Sequence, residues 1–223
     1  MAISIARDRA VVGPGEAVVI LAVLVGFELL VATALPSPTG RTAGLWTVGG
    51  VRALELLLLC LYGWRRGWRP RQFGLLGNPA RRGLRVGLLV CAGMGVAVLA
   101  TEACVRLAGR GSFLPLVSGP RPGAGEWLPL LAVGGLIAPL FEELVFRGVL
   151  YAGLRRRLPA AAATLAVTAL FAAAHLPTSG VPWVQAVGGV LFCVTYELSG
   201  SLWAPALVHA TGNLALFLLP LWF

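Results

Sequence analysis

Residues 16–36 read EAVVILAVLVGFELLVATALP, with Glu16 and Glu28 as the only charges in the run. A helix built from this stretch has no polar stripe to turn toward water, so it belongs in a large core or in a bilayer. At ~1.5 Å per residue it spans a hydrocarbon layer of ~30 Å. Six similar runs follow, at about 44–63, 86–106, 127–151, 159–176, 182–199 and 203–222. The last three are only just long enough. Helices close their backbone hydrogen bonds internally, which an open sheet in lipid cannot do. The predicted fold class is therefore all-α: a polytopic transmembrane bundle of about seven helices, with six to eight compatible with the run boundaries.

Composition agrees. Hydrophobic residues make up 58% of the 223 positions and charged ones 12%, whereas soluble domains sit nearer 45–50% and 25%. The mean hydropathy is +0.85. The net charge of +9 comes wholly from arginine, because the chain has no lysine. These arginines fall in short segments between apolar runs, the pattern of cytoplasmic loops and not of a nucleic-acid surface. Lipid is the expected partner and nucleic acid is not. An N-terminus placed in the cytoplasm puts twelve arginines inside: Arg7, Arg9, Arg65, Arg66, Arg69, Arg71, Arg81, Arg82, Arg85, Arg155, Arg156 and Arg157. Four lie outside: Arg41, Arg106, Arg110 and Arg121. The positive-inside rule selects this orientation, and an arginine-rich, lysine-free composition fits the inner membrane of a bacterium with a GC-rich genome.

No signal-peptide cleavage pattern precedes the first run, which reads as a retained helix. Cys60, Cys91, Cys104 and Cys193 all lie inside apolar runs and read as small hydrophobes, not as a disulfide or zinc framework. The basic stretch 64–85, with Trp68, Phe73, Leu75 and Leu76 among its arginines, reads either as an element lying on the inner headgroups or as a solvated loop. No repeat or linker divides the chain. Residues 1–125 supply the N-terminal helices and the basic loop, residues 126–223 the polar motifs, within one structural domain.

An ionisable group in a membrane helix costs at least a few kcal/mol, so each is a functional candidate. In the fourth run Glu142 and Glu143 are adjacent. Glu143 and Arg147 are four residues apart, on one helix face, and form an ion pair. Glu142 points elsewhere with no partner in its own segment, and a carboxylate left alone at low dielectric is a strong base. Pro139 lacks an N–H, so the carbonyl of Gly135 loses its helical partner and a kink is expected just before Glu142. In the fifth run Phe171 and His175 share a face, and Pro177 marks the helix end. In the seventh, His209 and Asn213 project to one side and can donate two hydrogen bonds to a common oxygen or ligate a metal. His175 and His209 are the chain's only histidines. By helix rise Glu142 lies ~20 Å from Arg155 and His175 ~23 Å from the basic loop, but His209 only ~10 Å into its run. Bringing all three together requires tilt, a break near 200–205 or a shifted boundary. Glu28, Glu55, Glu102 and Glu197 carry no assigned role, and only Glu55 has a basic neighbour, Arg52.

The set Glu142-Glu143-x-x-x-Arg147, Phe171-x-x-x-His175 and His209-x-x-x-Asn213 resembles the CPBP family of intramembrane proteases. That family includes the type II CAAX prenyl endopeptidases and bacterial relatives once described as abortive-infection or bacteriocin-immunity proteins. The run Tyr196 to Pro205 also resembles the family's lead-in to the second histidine, and the resemblance covers roughly residues 127–215. It implies that Glu142 activates water together with His175, that Glu143 and Arg147 support the site, and that His209 and Asn213 stabilise the oxyanion. The implied activity is hydrolysis of a peptide bond near the C-terminus of a membrane-anchored or C-terminally signalled protein. No cofactor is favoured. The alternative is a divalent metal such as zinc held by Glu142, His175, His209 and Asn213, although His-x-x-x-Asn is not a usual zinc spacing and no His-Glu-x-x-His occurs. Competing functions are a proton-coupled transporter or relay and a non-catalytic scaffold or immunity protein.

Overall fold

In the computed structural model the described residues are 11–179 and 182–221, and among them the chain is helical with no strand. Arg7 and Arg9, which entered the orientation argument, lie outside them. Helix α1 spans Pro14–Ala34, α2 Arg41–Arg65 and α3 Asn78–Leu107. Helix α4 is a continuous element over residues 124–155, α5 spans Ala160–Ser179, α6 Trp183–Ser199 and α7 Trp203–Leu218. All seven predicted runs are helices. Among the described residues five elements are long and apolar enough to cross a bilayer, and α5 and α6 are not among them. Val18, Leu29, Leu88, Leu89 and Leu99 are exposed, which a chain in water would not tolerate in such number but a lipid-facing surface requires. Cys60 and Cys104 are exposed too, so the cysteines are free as expected but only Cys193 is buried.

Two boundaries differ from the sequence reading, each for a local reason. Helix α3 begins eight residues before the apolar run, taking Arg81, Arg82 and Arg85 into its first turns. Pro79 at its start fixes a helical φ where an N–H has no partner in any case. Helix α5 continues past Pro177 to Ser179, so that proline lies in the last turn and does not end the helix.

Helix ends gather on two faces. Tyr62 and Arg66 both reach Glu16, at 2.7 and 3.2 Å, joining the end of α2 to the start of α1. Arg155 holds Glu197 at 2.8 Å, joining the ends of α4 and α6. At the opposite face Arg41 pairs with Glu126 at 3.2 Å. The first face carries the arginine-rich loops.

The basic stretch is neither of the forms expected for it. Pro70–Phe73 forms a 3-10 turn, and Phe73 is buried while Trp68 packs on the core. The following residues bind the turn between α6 and α7. Leu202 N–H donates to the Phe73 carbonyl at 3.0 Å, the Ser201 hydroxyl to Gly74 at 2.7 Å, and the Trp203 indole to Leu75 at 3.2 Å. Gly74 has φ +67° and leaves no room: a Cβ there would sit 2.2 Å from the Gly200 oxygen. Gly74→Ala combines left-handed strain with a backbone collision. It should lower stability by about 1–3 kcal/mol, read as the thermal unfolding midpoint in detergent.

This strap covers the α6–α7 turn, and Ser199, Ser201 and Leu202 are buried beneath it. The turn therefore lies inside the protein, which resolves the depth mismatch: His209 is close to the start of α7, but that start is itself recessed. Helix α3 clamps the same region through Gly83 and Gly87, whose missing side chains admit Ser201 of the turn and Ala204 and Leu207 of α7. Two small residues four apart bring membrane helices into close contact.

Candidate active site

Helix α4 does not wind uniformly. Leu130–Ile137 and Leu144–Tyr151 are π-helical, flanking the α-helical Ala138–Glu143 that carries both glutamates. In the first π segment each N–H reaches back five residues, as Ala138 does to Val133. Pro139 therefore leaves the carbonyl of Gly134 without its partner, not that of Gly135 as α-helical spacing predicted. Asn213 Nδ2 donates to that carbonyl at 2.8 Å. The proline shifts the register, and α7 supplies the missing donor. Asn213→Ala should leave the Gly134 carbonyl unsatisfied and lower stability by about 1–3 kcal/mol, measured as the unfolding midpoint. Asn213→Asp, which removes the donor and adds charge, should be at least as damaging.

Glu143 is 1% exposed and Arg147 is fully buried. Arg147 Nη1 donates to Glu143 Oε1 at 2.9 Å, as i,i+4 spacing predicted. Its Nη2 donates to the Gly189 carbonyl at 3.2 Å, and its guanidinium carbon lies 4.8 and 4.9 Å from the ring centres of Phe171 and Phe192. Aromatic faces replace part of the water a buried cation has lost. The same Glu143 oxygen lies 2.8 Å from His209 Nδ1. A carboxylate between an arginine and an imidazole fixes the ring's orientation.

Phe192 lies against His209, with ring centres 4.5 Å apart and planes 18° from parallel, and Phe171 meets the same ring edge-on at 5.8 Å. Sequence reading missed Phe192 and Gly189, since nothing in an apolar run marks one phenylalanine or one carbonyl as touching a charge two helices away. Phe171 was legible through its spacing to His175. His175 Nδ1 lies 2.8 Å from the Phe171 carbonyl. A carbonyl only accepts, so Nδ1 carries the proton, and Nε2 of the neutral ring is an acceptor.

Both Nε2 atoms face Glu142. Its Oε2 lies 4.0 Å from His175 Nε2 and 3.8 Å from His209 Nε2. These spans are too long for direct hydrogen bonds and short enough for one water to bridge. Glu142 Oε2 is buried and has no hydrogen-bond partner. The six residues singled out in the sequence thus form one constellation, with Asn213 joined to it through α4. No group of three or more His, Cys, Asp or Glu among the described residues closes to metal-ligating spacing.

The remaining membrane acids have partners too, of which the sequence reading supplied only Arg52 for Glu55. Glu28 is bound by Arg52, which also holds Glu55 at 2.6 Å, and Glu102 pairs with Arg106 at 2.5 Å. Glu197 accepts from Tyr151 at 2.9 Å as well as from Arg155.

A membrane helix bundle that brings a partnerless carboxylate against two imidazoles has the make-up of an intramembrane peptidase. Residues 124–215, covering α4 to α6 and most of α7, match the family model described as type II CAAX prenyl endopeptidase Rce1-like. That stretch is similar to a CAAX-protease domain, and the five long apolar helices are those of an integral membrane protein. No curated protein and no solved structure matches the chain.

Proposed function

We propose that this chain is a glutamate-type intramembrane endopeptidase that cuts a peptide bond near the C-terminus of a membrane-associated protein. The observation that carries the proposal is Glu142 Oε2, buried, without a hydrogen-bond partner, and facing both histidine Nε2 atoms. A water between them donates one hydrogen to Glu142 and the other to His175 Nε2. Its oxygen attacks the scissile carbonyl carbon as the proton passes to Glu142. Negative charge gathers on the carbonyl oxygen, where His209 Nε2–H and the second N–H of Asn213 are the donors. Donors of this kind are worth about 3–4 kcal/mol each. The Glu142 proton then goes to the departing amine as the C–N bond breaks. Glu143 and Arg147 act on His209 and not on substrate.

The cellular setting proposed with it is a bacterial inner membrane, with the arginine-rich face in the cytoplasm. Donor spacing supports metal-free catalysis. Cleavage by the purified protein in proteoliposomes should survive EDTA and 1,10-phenanthroline at full rate, while Glu142→Gln abolishes it. Loss with chelator and recovery with zinc would overturn the glutamate-type assignment.

A further inference from the structure

Where α4 gives way to α5, three arginines stand in a row: Arg155, Arg156 and Arg157. Beside them a groove of about 390 Å³ runs between the start of α5 and the end of α6. Helix α5 lines it with Ala160, Ala161 and Leu165, and α6 with Val190, Val194 and Leu198. Leu165, Val190, Val194 and Leu198 are exposed, so the groove opens outward from the bundle, into the lipid layer. Along α6 the lining covers Val190 to Leu198, about 12 Å at ~1.5 Å per residue. That is close to the ~15 Å depth of one leaflet in a hydrocarbon layer of ~30 Å.

Glu197, the charged side chain of the lining, is neutralised from the protein side. Its Oε1 accepts from Arg155 Nη2 at 2.8 Å, and its Oε2 from the Tyr151 hydroxyl at 2.9 Å and Arg155 Nε at 3.1 Å. Arg155 is buried, and its Nη1 donates to the Leu158 carbonyl at 2.7 Å. These groups satisfy one another and leave a lining that is almost wholly apolar. Arg156 and Arg157 differ from Arg155: both are exposed, and no carboxylate among the described residues pairs with either. An apolar groove that ends at two unneutralised cations is complementary to a molecule with an alkyl chain and an anionic head.

We propose that this groove binds an acyl chain of an anionic phospholipid whose headgroup phosphate rests on Arg156 and Arg157. Basic sites between membrane helices take anionic headgroups in this way. An apolar partner helix would cover the lining and leave the two arginines without counter-charge. Free phosphate would meet the arginines and leave the lining bare. The two helices that form the groove also carry His175 on α5, and on α6 the Gly189 carbonyl that binds Arg147 and the Phe192 ring stacked on His209. The lipid fills the seam between them, and the proposal does not depend on the peptidase reading.

Photo-crosslinking locates the chain. The purified full-length protein in neutral detergent is irradiated with phosphatidylglycerol carrying a diazirine in one acyl chain, and adducts are mapped by mass spectrometry of peptides. Adducts should concentrate at residues 160–165 and 190–198. Excess unlabelled phosphatidylglycerol should displace them, and phosphatidylcholine or inorganic phosphate should not. Ala161→Trp, which fills the groove from an exposed position, should remove these adducts and leave those on the exposed Leu88, Leu89 and Leu99 of α3. Arg156→Gln with Arg157→Gln should weaken the competition by phosphatidylglycerol roughly 10–30-fold. Phosphatidylglycerol should raise the thermal unfolding midpoint of wild type and not of that double variant, while both variants keep the wild-type midpoint without lipid. Equal displacement by phosphatidylcholine overturns the proposal. So do adducts spread evenly over α1, α3 and the groove, adducts unchanged in both variants, or a groove that gives none because a second copy of the chain covers it.

Discussion

Glu142→Gln should lower the cleavage rate by about 10²–10⁴-fold while the protein accumulates normally. The substitution keeps the side chain's shape and removes its ability to take a proton. Glu142 Oε2 makes no hydrogen bond to protein, so folding loses little. The measurement compares C-terminal fragments of membrane proteins, by mass spectrometry, in cells carrying wild type or variant in place of the native copy. Fragments that vanish identify substrates. A variant that processes every protein as wild type does would show that Glu142 is not the base, and the transporter or scaffold reading would then take over.

Arg147→Ala should have the largest effect on stability, about 3–5 kcal/mol. It leaves Glu143 charged, 1% exposed and without its guanidinium, and it strips the Gly189 carbonyl of its donor. The space between Phe171 and Phe192 is emptied as well. Thermal unfolding in detergent reads the loss, and a shift equivalent to less than ~1 kcal/mol would show the pair to be dispensable. The double variant Glu143→Leu with Arg147→Met separates stability from chemistry. Replacing both members of a buried pair by apolar side chains is often neutral, so much of the stability should return. Activity should not, because His209 Nδ1 has lost the oxygen that orients its ring.

Much of this molecule was legible residue by residue. The Glu143–Arg147 pair was readable because i,i+4 geometry is local to one helix and survives any packing. The freedom of Glu142 followed from the same geometry. Most of the readings that failed did so where a partner came from another element, although the Glu102–Arg106 pair on α3 was missed as well. Glu28 seemed alone because its arginine is on α2, and stretch 64–85 seemed peripheral because its carbonyls bind a turn more than 120 residues away. The Pro139 argument was sound about the missing N–H and wrong by one residue about the orphan, since the π register of α4 depends on Asn213 to complete it.

The sequence by itself determined a bundle of apolar helices, its arginine-rich face and the six polar residues that matter. Hydrophobicity, charge bias and i,i+4 spacing are properties of short stretches and need no knowledge of neighbours. Tertiary structure alone decided that His209 reaches the depth of Glu142 and His175. A buried turn places the start of α7 inside the protein, where the strap and the Gly83–Gly87 contact hold it.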